Sequence, residues 1–397
     1  MWLNLIQNKI SITFQYHPRI VNAVKTVTGR SWNAPMKRWE CPIENADEAV
    51  RILTPLGFTA SAEVRALVDE ILQETKIADD IKNGPTPEIT SRFPLFDFQK
   101  KGTVFIQKMK GVLLGDSMGL GKSLQTLAAL DCDSGPHLII CPKSLLFSWK
   151  AEISKWAPDD KVIVIDGDKE TRKTQWFYAK TSKYTVANYE LLLHDTPFIS
   201  TTEWKTITCD ESTRISNPEA KTTQILKTLK CGKKIALTGT PVANSPVDIF
   251  SAIDWLAPRY LGSFAQFKEK YCVTDPFGSV ITYKNLDHLA GKVNRFMIRR
   301  SKEEVFDDFP KMTISKVLFD LSPEERKTYN GIKELIRAEI MKLDLDNPSS
   351  IVMIPVKMLR LLQMTDDAKL LQPEWKDERS KLEALKDILK PIMKSLD

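Results

Sequence analysis

Residues suited to metal chemistry are few and scattered. The chain has 397 residues, with four histidines and six cysteines. Cys41, Cys132, Cys141, Cys209, Cys231 and Cys272 make no C-x-x-C pair, and none has a histidine at zinc spacing. A zinc module and a disulfide framework are therefore excluded, which leaves small, buried, reduced thiols. His17, His137, His194 and His288 stand far apart and suggest no histidine-centred site. No apolar run is long enough to span a bilayer. The opening MWLNLIQNKISITFQY has no basic segment ahead of an apolar core, so no secretory signal is expected. The expected setting is intracellular: cytoplasmic in a bacterial or viral host, nuclear in a eukaryote. Repeats and low-complexity tracts are also missing. Excess charge is slight. A net +6 permits nucleic-acid binding, and equally fits a solvated surface with a small lysine surplus.

What is present has a clear order. Residues 1–75 read as a small α+β unit. ISITFQY alternates like a strand, with Ile10, Ile12, Phe14 and Tyr16 on one face. HPRIVNAVKTV has helical spacing, SWNAPMKRWECPI reads as a hairpin carrying Trp32 and Trp39, and NADEAVRILTPLG reads as a helix. Ser61 then caps a helix with an apolar stripe from Val64 to Leu72. Residues 76–92, rich in proline and polar groups, are the expected linker. From residue 93 to about 300 the runs GVLLGD, HLIICP, KVIVID, YTVANY, KTITCDE and KIALTG read as strands of a parallel sheet with helices on both faces. Residues 301–397 read as helical. One capping box is expected at Ser322 with Glu325 and another at Ser380 with Glu383, and Pro391 is expected to kink or end the last helix.

GDSMGLGKS lies between an expected strand and an expected helix. Backbone N–H groups from Asp116, Ser117, Met118, Gly119, Leu120 and Gly121 onward can face phosphate oxygens at a helix N-terminus. Lys122 can neutralise the β and γ phosphates, and Ser123 can hold Mg²⁺. The strict G-x-x-x-x-G-K-[ST] pattern fails at its first position, which is Asp116. Three other segments add to the loop. Asp210 and Glu211 end a strand, where the first can bind Mg²⁺ and the second can activate water. Thr238, Gly239 and Thr240 end the next strand and can sense the phosphate state. Gln99, upstream, can read an adenine edge with its two-way amide. Each has an ordinary reading alone: a glycine turn, an acidic strand end, a βα turn capped by Thr240 or Asn244, and an exposed helix glutamine. Together and in this order they favour a nucleotide motor over a kinase or small GTPase.

The segments FDFQKKG, GDSMGLGKSLQT, LIICPKSLLFSWKAEISKW, CDESTRIS and ALTGTPVANSPVDIFSAIDWL resemble the SWI/SNF-type ATPases of helicase superfamily two. FMIRRSKEEVFDDFPKM with SPEERKTY is similar to the region after that family's first RecA-like lobe. The N-terminal unit resembles a HARP-type domain of annealing helicases, through ITFQY and the hairpin from Trp32 to Pro42, although Trp32 and Trp39 are equally read as core anchors of a small fold.

The resemblance implies ATP and Mg²⁺ as cofactors and double-stranded or branched DNA as a partner, bound without sequence specificity. It places Lys143, Ser144, Asn188 and Tyr189 as backbone contacts to DNA. Arg299 and Arg300 are similar to the family's paired arginines, and can also be structural ion-pair donors. Two departures stand out. The family's D-E-x-H motif reads Asp210-Glu211-Ser212-Thr213 here. No second lobe with an arginine finger appears before Asp397, so the chain is expected to be the N-terminal part of such a motor, either truncated or completed in trans by a second chain carrying that lobe. The competing expectation is a non-catalytic DNA- or partner-binding module that keeps the nucleotide fold.

Overall fold

The computed structural model describes residues 1–242, 245–275, 280–306, 315–342, 348–376 and 380–394. The chain divides into two compact units, Met1–Phe309 and Pro310–Asp397.

Among the described residues the first unit holds three sheets, the smallest a two-stranded hairpin. The N-terminal sheet contains β1 (Trp2–Ile6), β2 (Lys9–Thr13), β3 (Ser31–Asn33), β4 (Arg38–Pro42) and β5 (Thr59–Ala60), in the order β3-β4-β2-β1-β5. Its inner face puts Leu3, Ile10 and Ile12 against α1 (Pro18–Val24), α2 (Ala46–Leu53) and α3 (Ala62–Asn83). The alternation of Ile10 and Ile12 is the strand periodicity read from sequence. It stops sooner than expected: Tyr16 lies beyond the strand and is 79% exposed. The expected hairpin is β3–β4, with Trp32 opposite Trp39 and their rings 5.4 Å apart. Strand β1 was not anticipated.

The expected linker also changes. Helix α3, capped by Ser61 Oγ accepting from the Val64 amide, continues to Asn83 and takes in the first part of residues 76–92. Burial explains the extension. Val64 and Ile71 pack in the N-terminal core, whereas Ala78 and Ile81 pack in the core of the larger sheet. One helix thus serves both. Polar contacts fasten the same interface. Buried Glu48 accepts from Thr28 and faces Lys292 at 2.6 Å, and Asn45 donates to the Tyr260 carbonyl. Burial pushes the Glu48 carboxyl up, but Lys292 and Lys270 hold it below its ordinary range.

The larger sheet contains α4 (Asp97–Lys108), β6 (Gly111–Leu114), α5 (Lys122–Leu130), β7 (His137–Cys141), α6 (Leu146–Trp156), β8 (Val162–Val164), β9 (Tyr184–Asn188), β10 (Trp204–Cys209) and β11 (Cys231–Leu237) with their surrounding helices. A hairpin of β12 (Cys272–Thr274) and β13 (Val280–Tyr283) precedes β14 (Met297–Ile298). Seven strands run parallel in the order β14-β6-β11-β10-β7-β9-β8. Alternate residues enter different cores: Leu113, Leu138, Ile140 and Ile207 on one face, Val112, Leu114, Ile139 and Ile235 on the other. Burial on both faces is why these strands read as continuous apolar runs. The short β14 was not anticipated either, because FMIRR has too few apolar residues to stand out.

The second unit contains helices Pro323–Ile340, Pro348–Asp366 and Ser380–Lys394. The Ser322–Glu325 capping box is present. The second box differs from expectation: the Ser380 amide and hydroxyl both engage Glu325, while Glu383 pairs with Lys386 at 2.7 Å. Pro391 does not end its helix, which continues to Lys394. Proline at 391 has no N–H to donate to the Asp387 carbonyl, and the helix runs on for one more turn without that bond.

Candidate nucleotide site

Strands β6, β11 and β10 are neighbours, so their C-terminal ends lie side by side. In an open parallel sheet that edge is where ligands bind. The segment after β6 is the glycine loop, the one after β11 is the Thr238–Thr240 turn, and the one after β10 is Asp210–Glu211. Four motifs far apart in sequence are therefore gathered by strand order, with Gln99 reaching in from α4.

The loop needs its glycines. Gly119 (φ 86°) and Gly121 (φ 72°) adopt left-handed backbone that favours glycine. A Cβ on Gly121 would stand 2.5 Å from Gln99 Nε2, so Gln99 can approach only a glycine. Lys122 starts α5, and its ammonium donates to the Asp116 carbonyl at 2.8 Å. Ser123 follows on the first turn. Gly239 allows another close approach, since a Cβ there would lie 2.8 Å from Met118 Cγ. The loop and the threonine turn are thus in contact, and Thr238 Oγ1 accepts from the Thr240 amide at 3.1 Å. Asn244, the other capping candidate, lies outside the described residues.

The acidic pair sits in a low-dielectric setting. Asp210 is 9% exposed; its Oδ2 accepts from the Trp149 indole at 2.9 Å and its Oδ1 from the Glu211 amide. Both donors are neutral. Burial therefore raises the Asp210 carboxyl, resisted by Trp149, the Glu211 amide and the charge of Lys122. Glu211 is raised by burial and by Asp210, and has a positive φ of 50°. Such a backbone in a non-glycine residue is strained and is often kept where a side chain must be aimed. Burial lowers the Lys122 pKa, while Asp116, Glu211 and Asp210 resist the fall. The expected catalytic residues Lys122, Asp210 and Glu211 thus lie within electrostatic reach of one another.

Two polar side chains at the loop are engaged within the chain. Asp116 is fully buried, and both its oxygens are taken by Arg300 and Gln125, which leaves its carboxylate behind the loop rather than toward a nucleotide. Gln99 is buried too. Its Oε1 caps the Phe96 amide and its Nε2 donates to the Leu120 carbonyl, so one lone pair and one N–H remain for a base.

The expected DNA contacts lie farther along the same edge, after β7 and β9. Lys143 and Ser144 are exposed on a short turn. Asn188 and Tyr189 are buried: Asn188 accepts from the Leu191 amide, and the Tyr189 hydroxyl donates to the Asp210 carbonyl at 2.7 Å. Both serve the fold internally. Trp149, without a role in the sequence reading, and Arg300, read there as one of the paired arginines or an ion-pair donor, contact the two buried aspartates. Trp149 stands in the conspicuous P-x-S-L-x-x-x-W run, but its partner is 61 positions away.

A parallel sheet with a glycine loop on one strand, an acid pair two strands over and a lysine facing both defines a phosphate-loop nucleotide fold. Within that class the chain belongs to the SNF2-related domain family, whose model matches residues 24–393. It is 30% identical over 280 residues to an uncharacterized ATP-dependent helicase of Mycoplasma genitalium, covering 68% of this chain and 26% of that protein. It is 28% identical to the human SWI/SNF-related matrix-associated actin-dependent regulator of chromatin subfamily A member 1, covering 66% of this chain and 26% of that protein. Among solved structures it is similar to the Sulfolobus solfataricus SWI2/SNF2 ATPase core in complex with dsDNA, with a TM-score of 0.51, 30% identity, and coverage of 78% of this chain and 67% of that one. The chain thus spans about a quarter of the length of these two curated relatives. No described helix is long and apolar enough to cross a membrane.

Proposed function

We propose that this chain is the ATP-binding part of an ATP-driven DNA translocase. The observation that carries the reading is the convergence of Lys122, Asp210 and Glu211 at neighbouring strand ends, with Asp210 buried and bonded only to neutral donors. That donor set suits a hard divalent cation, which oxygen ligands hold. Magnesium would be held by the Ser123 hydroxyl and Asp210, and would neutralise charge on the transferred phosphoryl group. Lys122 binds the outer phosphates, and helix α5 directs its N-terminus at them. Glu211 accepts a proton from the attacking water, a role its raised pKa suits. Gln99 offers its remaining donor and acceptor to the base.

DNA enters through the solved relative, which was seen with dsDNA. Lys143 and Ser144, exposed beyond the nucleotide residues on the same sheet edge, are the backbone contacts we assign. Such contacts position the duplex without reading sequence and weaken with salt. A second RecA-like lobe, from another segment or another chain, completes the site in this reading. The N-terminal unit, fastened to the sheet through α3 and Glu48, is read as a HARP-like domain that meets branched DNA.

The test is ATP hydrolysis with no DNA, duplex DNA and forked DNA, beside Lys122→Ala. DNA-stimulated turnover that disappears in Lys122→Ala is expected where the site is complete. ATP binding that depends on Lys122 without turnover identifies a part awaiting its second lobe. Nucleotide binding indifferent to Lys122 would overturn the motor reading in favour of a DNA-binding module.

A further inference from the structure

The position where the strict loop pattern has glycine carries a fully buried aspartate. A carboxylate in that setting is unfavourable unless its oxygens are satisfied. Arg300 satisfies them with its fork: Nε donates to Asp116 Oδ1 at 2.9 Å and Nη2 to Oδ2 at 2.5 Å. Planar, two-point recognition of this kind is particular to arginine. The same Nη2 donates to Gln125 Oε1 at 2.9 Å, and Nη1 reaches the Phe98 carbonyl. Gln125 Nε2 returns to Asp116 Oδ2 at 3.1 Å and also holds the Leu120 carbonyl at 3.1 Å. A closed polar network therefore grips the loop near its start and again at Leu120.

The main chain grips it as well. Gly115 donates to the Ile298 carbonyl and Ser117 to the Arg300 carbonyl, each through its amide, at 2.8 and 2.9 Å. These bonds continue the β6–β14 ladder into the loop. Gly102, in the middle of α4, is explained by the same network. A Cβ there would lie 1.8 Å from Gln125 Oε1 and 2.8 Å from Arg300 Nη2. Helix α4 accepts a glycine, at a cost of about 1 kcal/mol relative to alanine, to leave room for these side chains.

We propose that Arg300 is a positioning residue for nucleotide binding: acting through Asp116, Gln125 and the Ser117 amide that it holds, it fixes the backbone of residues 116–121 in the shape that aims the amides after Ser117 at phosphate. Arg300 touches no phosphate itself. The inference rests on reading the loop as an ATP site. Its signature is a loss of nucleotide affinity in a protein that remains folded, since amides held at the wrong angle lose their charge-assisted bonds.

The test uses the 397-residue chain, a fluorescent ATP analogue with Mg²⁺, and the variants Arg300→Lys, Arg300→Gln and Asp116→Asn/Arg300→Gln. Arg300→Lys keeps the charge and loses the fork. It is expected to unfold cooperatively yet bind the analogue about tenfold more weakly, with faster hydrogen exchange at amides 117–123. Arg300→Gln is expected to bind more weakly still, because a buried carboxylate loses its cation. The double variant replaces the ion pair by an amide pair and is expected to recover roughly threefold or more of that loss. Folded Arg300→Lys with parental affinity and parental loop exchange would overturn the proposal and leave a purely structural ion pair. Should Arg300→Gln fail to fold, Arg300→Lys and the double variant decide the matter. A parent chain that binds no analogue counts against the ATP reading instead, and loop exchange in Arg300→Lys then decides the positioning role by itself.

Discussion

Asp116 and Asp210 are both buried, both follow strands of one parallel sheet and both lie near Lys122, yet their surroundings differ. Asp116 has its counter-ion built into the chain, as Arg300 fills both of its oxygens. Asp210 receives an indole N–H and an amide N–H, which carry no formal charge. The difference teaches how one buried carboxylate is matched within the chain while another is left to attract a partner from outside. A carboxylate matched by a fixed arginine is inert and stiffens what it joins. One that is desolvated, only partly compensated and pushed above its usual pKa keeps an attraction for a cation from outside.

The comparison can be broken in order of expected effect. Asp210→Asn should lower DNA-stimulated ATP hydrolysis on the order of a thousandfold while the chain stays folded, as measured by steady-state turnover beside thermal unfolding. Asp116→Asn should act first on stability, with a smaller loss of nucleotide affinity through the loop it holds. By stranding Arg300 it should remove about 3–5 kcal/mol of stability, read from the shift of a urea unfolding curve. An unfolding midpoint unchanged from the parent would remove the distinction between the two aspartates.

Smaller changes sharpen the contrast. Trp149→Phe deletes the neutral donor that holds the Asp210 carboxyl down. Hydrolysis should fall about 10- to 100-fold, as for loss of other outer-shell partners of a metal ligand. Its pH profile should move as well. In the proposed mechanism Asp210 and Glu211 are ionised to hold metal and accept a proton, and both have raised pKa values, so activity should be lost as pH falls through them. Removing the donor raises Asp210 further, so the acid limb should shift to higher pH. Gly102→Ala should destabilise the chain by about 1–3 kcal/mol through collision with Gln125 and Arg300, visible in the same urea series. Lys143→Ala, outside both aspartate environments, should weaken duplex binding modestly and reduce the slope of log K against log salt by about 1.

Much of this molecule is legible in one dimension. The glycine loop announces itself because its φ values need glycine, and Lys122 follows at fixed spacing. The apolar runs at β6 and β7 are legible because a strand buried on both faces leaves no polar alternation. Asp210–Glu211 is legible as an acidic strand end. The misses share a cause. Strands β1 and β14 are short, and their burial comes from partners. Residues 76–83 look like linker until Ala78 and Ile81 meet the large-sheet core. Pro391, expected to kink or end its helix, lies inside it, and the helix continues to Lys394.

The sequence alone determined the class of fold, the phosphate loop and the acid pair, because each depends on local backbone freedom, periodicity or residue type. Only the tertiary structure decided what Asp116 is for. Its partner Arg300 is 184 positions away, and such a pairing has no spacing rule. It also moved Asn188 and Tyr189 from expected DNA contacts to internal hydrogen bonds, and found the Trp149 donor to Asp210. Local preference specifies which elements form; the strand order of a closed core specifies which charges meet, and charge pairing depends on distance in space rather than along the chain.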